Sequence, residues 1–109
     1  GLLTDIMKVV DHDIADDLTY QEPAGVVNEL AGFLKEKKGC DMVICLSHLG
    51  YSEDKELAAA ARNVDVIVGG HSHTLLHKKQ IVSDLDGKDV VIVQNWKWGL
   101  NVGQLKVDF

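Results

Sequence analysis

The chain has 109 residues, 46% of them hydrophobic and 26% charged, which bounds it to a single soluble domain, since domains usually run to about 100–200 residues. Eleven Lys and Arg against seventeen Asp and Glu leave a net charge of −6, so the surface repels a phosphate backbone and no nucleic-acid polymer is expected as a partner. The wholly apolar runs, Val90 to Val93 among them, fall far short of the roughly 18 residues of a membrane span. No basic, hydrophobic export signal opens the chain, and Gly1, with the first Met only at Met7, is expected to be a boundary within a longer protein.

In chain order, Gly1 to Asp5 reads as the tail of an apolar strand, and Met7 to Gln21, acidic and without a sustained period, as a surface loop. A helix is expected from Pro23, a residue suited to a first helical position. Val26, Val27, Leu30, Phe33 and Leu34 recur at helical spacing, Lys35, Lys37 and Lys38 lie near its negative end, and Gly39 stops it. Asp41 to Ser47 is a short continuous apolar run, the signature of a strand covered on both faces. Ser52 is expected to cap a second helix, which has acids in its first turn and runs to about Asn63; a second buried strand follows from Asp65 to Val68. The 17 residues between Leu46 and Val64 suffice for a crossover, which makes the two strands parallel neighbours. Beyond Leu76 the pattern changes: Gln80 to Ser83, Val90 to Gln94 and Leu100 to Phe109 read as strands joined by tight turns such as Asp86-Gly87, so the tail is antiparallel or mixed. The fold class is α/β, a parallel strand-helix-strand unit followed by antiparallel strands. Two or three helices cannot cover both faces of such a sheet, so a layer is expected to be missing.

Cys40 and Cys45 are separated along a strand by on the order of 16 Å, beyond disulfide reach, and are expected to be free thiols packed as small apolar side chains. The histidines are more informative. His48 directly follows the first buried strand, in Leu46-Ser-His-Leu-Gly50, and His71 and His73 follow the second, in Val68-Gly-Gly-His-Ser-His-Thr74. Ligands of open α/β sheets bind beyond the carboxyl ends of the strands, and neighbouring strands lie about 4.8 Å apart, so the three imidazoles can face one volume. Neutral imidazole is a common zinc ligand, and Gly69-Gly70 lets the backbone turn sharply before two His one residue apart. Each His has a bland alternative, a hydrogen-bonded loop residue; the double Gly before His-x-His favours the metal. His12 and His77, among charged residues, keep that bland reading, and Asp11, Asp13, Asp16 and Asp17 are expected to form a solvated face, because the Gly and terminal Glu of a calcium loop are missing.

The chain has no G-x-S-x-G, no G-x-x-x-x-G-K-[ST] and no G-x-G-x-x-G, which removes a serine hydrolase, a P-loop NTPase and a dinucleotide-binding domain. Trp96 and Trp98 alternate at an expected strand end, where capping the edge of a core is the first reading and stacking on a nucleobase the second.

Val43-Ile-Cys-Leu-Ser-His-Leu-Gly50, Asp54 with Leu57-Ala58, Val64-Asp-Val-Ile-Val-Gly-Gly-His-Ser-His-Thr74, Val91-Ile-Val-Gln94, Trp98-Gly99 and Val102-Gly-Gln-Leu105 together resemble the 5′-nucleotidase branch of the calcineurin-like metallophosphoesterases, in order and over nearly the whole chain. The resemblance implies a partial α/β/β/α sandwich and a dinuclear site with two divalent ions, zinc, manganese or similar, in which His48 and His71 hold one ion and His73 the other. It also implies hydrolysis of nucleoside 5′-monophosphates or related phosphate esters by metal-activated hydroxide attack at phosphorus, and an exported, periplasmic or cell-surface parent. The family's Asp-x-His, Gly-Asp and Gly-Asn-His motifs are absent from the 109 residues. Since they lie N-terminal to the matching segment, residues 1–109 are expected to be the carboxyl half of the catalytic domain. The missing N-terminal half would supply the second sheet, the carboxylate ligands and the group facing the leaving oxygen; no catalytic residue is assigned to this half, and alone it is expected to be inactive. The alternative is a non-catalytic module that binds a metal or docks on a partner.

Overall fold

The computed structural model describes residues 1–15 and 17–108, excepting the side chains of Lys8, His12 and Ala15. The expectations for Asp16, for Phe109 and for the His12 imidazole therefore lie outside the described residues. Among those described, the elements run β1 (Leu2–Leu3), a 3-10 turn (Ile6–Lys8), α1 (His12–Ala15), α2 (Pro23–Lys38), β2 (Ile44–His48), α3 (Tyr51–Ala60), β3 (Val66–Val68), β4 (Gln80–Ser83) and β5 (Asp89–Val93). The 3-10 turn and α1 are brief interruptions of the stretch expected to be loop; the Asp5 side chain starts the turn by accepting from the Met7 amide at 3.1 Å.

The five strands form one sheet in the order β1-β2-β3-β5-β4. β1, β2, β3 and β5 are mutually parallel along it, with Ile44 opposite Val66 and Val66 opposite Val91, and β4 closes the edge antiparallel to β5. The expected crossover is therefore present, and the β-only end is mixed. The β4–β5 turn is fastened by Asp84, whose Oδ1 accepts from the Asp86 and Lys88 amides at 2.8 Å each, and Gly87 takes the positive φ of 75° that this turn requires.

α2 matches its expected limits. Pro23 opens it, and Gly39 ends it in the left-handed region at φ 68°, with its amide returned to the Leu34 carbonyl. Its buried stripe differs from the expected one. Val27 and Ala31 are buried and Ala24 and Leu34 pack at the margin, whereas Leu30 is 56% and Phe33 48% exposed. Only one side of α2 lies on the sheet, so the apolar positions a third of a turn away meet no layer among the described residues. Asn28 ties α2 to the end of α3, donating to the Ala60 carbonyl at 2.9 Å and accepting from the Arg62 amide at 2.6 Å. α3 begins at Tyr51 with Gly50 as its cap and no side-chain capping bond, so Ser52 lies inside the first turn rather than at the cap.

The core lies between α2, α3 and one face of the sheet, where Ile67, Val90, Ile92, Ala58 and Ala61 are all fully buried. The opposite face is largely open: Leu3, Ile44, Leu46 and Ile81 are each at least half exposed, and the strand register puts them on the same side as His48, with Val66 between them on that face buried. β2 is thus covered on one face, not two, and the layer whose absence the sequence anticipated is absent from the described residues. Residues 100 to 108, expected to be a strand, form no ladder, because no described strand edge pairs with them; Val102 is 96% exposed. Cys40 and Cys45 are free thiols and only partly buried, with the Cys45 thiol pushed above its ordinary pKa by desolvation. No described helix is long and apolar enough to cross a membrane.

Candidate metal centre

β2 and β3 run parallel side by side, so the residues that follow them emerge at the same edge of the sheet. His48 is the last residue of β2, and His71 stands in the loop after β3 with φ 67°. Their ring centroids lie 5.1 Å apart at an interplanar angle of 67°, and both residues are exposed. Two imidazoles sharing one tetrahedral ion at Zn–N distances of about 2.0–2.1 Å have ring centres roughly 5 Å apart, so this pair has the spacing of two ligands of one ion. The glycines make the approach possible. A Cβ on Gly70 would sit 3.1 Å from His48 Nδ1 and 3.3 Å from the Ser47 carbonyl, and one on Gly50, at φ 121°, would run into the Glu53 carboxylate.

His73 is not part of this pair. Its backbone is also left-handed, at φ 54°, and its ring meets the edge of Trp98, centroid to centroid 6.2 Å. Among the described residues no group of three or more His, Cys, Asp or Glu side chains is arranged to hold an ion. His77 is exposed, and so are Asp11, Asp13 and Asp17, as expected of a solvated face. The tryptophans depart from the core-edge reading: Trp96 is 40% and Trp98 78% exposed, both have positive φ, and the Lys97 ammonium lies over the Trp98 ring at 4.1 Å.

Two buried polar residues that the sequence reading left without a role hold the loop. Gln94, at the end of β5 and 3% exposed, accepts from the Thr74 amide at 2.7 Å and the Ser72 hydroxyl at 3.0 Å, and its Nε2 donates to the Gly70 carbonyl. Ser72 Oγ in turn accepts from the Tyr51 amide at 3.0 Å, so the loop bearing His71 and His73 caps the helix that follows His48. Asp54, in the first turn of α3, is fully buried, and its Oδ1 accepts from Ser47 Oγ at 2.5 Å. Burial pushes the Asp54 carboxyl above its ordinary pKa, the Ser47 hydrogen bond opposes this in part, and the neighbouring Glu53 charge adds to it. A polar residue closing an apolar strand run, as Gln94 does after Val93, and an acid among the apolar positions of a helix, as at Asp54, were the available signals.

No family model matches the chain. Individual relatives do. The trifunctional nucleotide phosphoesterase YfkN of Bacillus subtilis is 32% identical over 76 residues, covering 70% of this chain and 5% of its own length. The human 5′-nucleotidase is 38% identical over 80 residues, covering 62% of this chain and 14% of its own length. The crystal structure of a 5′-nucleotidase precursor from Thermus thermophilus superposes with a TM-score of 0.70 and 39% identity, over 74% of this chain and 18% of that one. The α/β fold is therefore shared with the Thermus thermophilus protein, and the chain spans less than a fifth of the length of each of these three relatives. On sequence and fold together, the chain is a member of the 5′-nucleotidase family, matching one segment of its much longer relatives.

Proposed function

We propose that the chain is the carboxyl half of a metallophosphoesterase catalytic domain and that the whole domain hydrolyses nucleoside 5′-monophosphates or related phosphate esters. One observation carries this reading: two imidazoles at the ends of adjacent parallel strands, 5.1 Å apart, in a chain whose relatives include 5′-nucleotidases. His48 and His71 would hold one divalent ion, zinc or manganese, and His73 would contribute to a second. The donor set fits zinc best, since neutral imidazole is an ordinary zinc ligand and the ring spacing suits a shared ion, whereas manganese would draw more on carboxylates. When bound, such ions neutralise charge on a phosphate ester and lower the pKa of a coordinated water.

The chain's own residues orient the ligands. Gly69 and Gly70 admit close approach of the His71 loop to His48, Gln94 and Ser72 fix that loop to β5 and α3, and Trp98 packs against His73. The carboxylates needed to balance two ions are expected from an N-terminal half of the domain. That half would also cover the open sheet face at Leu3, Ile44, Leu46 and Ile81. An exported parent accords with the word precursor in the name of the Thermus thermophilus relative.

The test is phosphate release from AMP by the longer protein with zinc or manganese supplied. His71→Ala and His73→Ala are expected to lower kcat/KM by about a hundredfold or more, because each removes a ligand of a hydrolytic metal, whereas His77→Ala leaves it near wild type. Wild-type activity in His71→Ala overturns the assignment. The second reading, a non-catalytic docking module, is favoured by the open apolar sheet face. A longer protein that binds zinc at His48 and His71 yet releases no phosphate from AMP would support it.

A further inference from the structure

Asp54 presents an uneven set of contacts. One carboxylate oxygen is bonded to Ser47, the residue immediately before His48; the other, Oδ2, is buried with no hydrogen-bond partner. That second oxygen lies against Gly69, two residues before His71: a Cβ there would overlap Asp54 Oδ2 and come within 3.4 Å of Gln94 Nε2. The same Ser47 hydroxyl accepts from the Leu49 amide at 3.1 Å, so the backbone on both sides of His48 is referred to Asp54. From the far side Gln94 Nε2 holds the Gly70 carbonyl. The neighbouring positions Leu57 and Ala58 bury apolar side chains, and a buried carboxyl at residue 54 costs desolvation that an apolar residue there would avoid.

We infer that Asp54 is a positioning residue, a buried clamp that sets the separation of the His48 and His71 imidazoles by fixing Ser47 with one oxygen and seating Gly69 with the other. The inference rests on the proposed site for its use, but the clamp itself acts on two loops and needs no ion to be observed. Ser47 and Gly69 sit at the carboxyl ends of β2 and β3, so a displacement between them passes directly to the two rings.

The test compares the wild type with Ser47→Ala, Asp54→Ala and Asp54→Asn by NMR, reading the nuclear Overhauser contact between the His48 and His71 rings and hydrogen exchange at the Gly69 to His71 amides. The Val90 and Ile92 amides, in the core strand, report whether the fold is intact. Ser47→Ala and Asp54→Ala are expected to abolish the ring contact and speed exchange of the Gly70 and His71 amides about tenfold or more, with Val90 and Ile92 still protected. Asp54→Asn keeps the volume and an acceptor for Ser47, and is expected to keep the ring contact. An unchanged ring contact in Asp54→Ala with the core protected overturns the inference. If Asp54→Ala unfolds, an unchanged contact in Ser47→Ala, or its loss in a folded Asp54→Asn, overturns it instead. Cobalt titration of the wild type separates the two claims: no His48-dependent binding removes the metal reading while leaving the clamp, and binding with an unchanged ring contact in Asp54→Ala removes the clamp alone.

Discussion

His71 and His73 hold left-handed backbone at φ 67° and 54°, a region that costs a non-glycine residue about 1–3 kcal/mol. The loop tolerates this because Gln94 and Ser72 bond it on both sides. Replacing His71 by Gly is therefore expected to raise the urea midpoint, by about 1 kcal/mol of stability, while deleting the proposed ligand; a lowered midpoint would show that the imidazole packs the loop instead of straining it. Asp54 makes a second prediction, in pH. Its folded-state pKa is raised by burial, so the folded protein holds a proton that the unfolded chain releases, and stability declines as pH climbs from the ordinary carboxylate value of about 3.9 through the higher folded value. Asp54→Asn lacks this titration. Denaturation of both proteins across pH should show the difference, variant minus wild type, rising through that window and flat below it; a difference that falls instead contradicts the burial.

The elements owe their ends partly to their own residues and partly to each other. α2 carries its start and stop in Pro23 and Gly39, and both are used as sequence rules expect. α3 does not: Ser52 has the chemistry of a cap, yet the cap is Gly50, two residues earlier, because Ser72, 21 residues on from Tyr51, supplies the acceptor for the Tyr51 amide. A bond of that span leaves no local trace. Gln94→Ala removes three hydrogen bonds from the same loop and is expected to destabilise by about 1–3 kcal/mol, with exchange at the Thr74 amide rising more than at Ile92. Equal exchange at both amides would mean that the loop does not open apart from the core.

For the molecule as a whole, the unequal faces of the sheet dominate. One is sealed by α2 and α3; the other offers Leu3, Ile44, Leu46 and Ile81 to solvent beside His48. Exposed apolar surface of this kind binds hydrophobic dyes and invites association. The double substitution Ile44→Ser and Leu46→Ser is expected to lower dye fluorescence severalfold with little change in the melting temperature, and a large loss of stability would mean that these side chains are buried in solution.

The strand-helix-strand order, its parallel sense and the placing of His48 and His71 at one sheet edge were legible in the sequence, because crossover length and handedness leave few alternatives and short apolar runs mark buried strands. The β4–β5 hairpin was legible too, from its strand pattern and its Asp86-Gly87 turn. Which face of β2 is covered, which stripe of α2 is buried, whether residues 100–108 pair and where the tryptophans point were decided by tertiary structure. Each depends on whether a neighbouring layer or strand edge is present, and periodicity records that a surface is apolar without recording what meets it. The roles of Asp54 and Gln94 were hidden for the same reason: their partners Ser47, Gly70, Ser72 and Thr74 lie 7 to 24 residues away, and only the packed sheet brings them together.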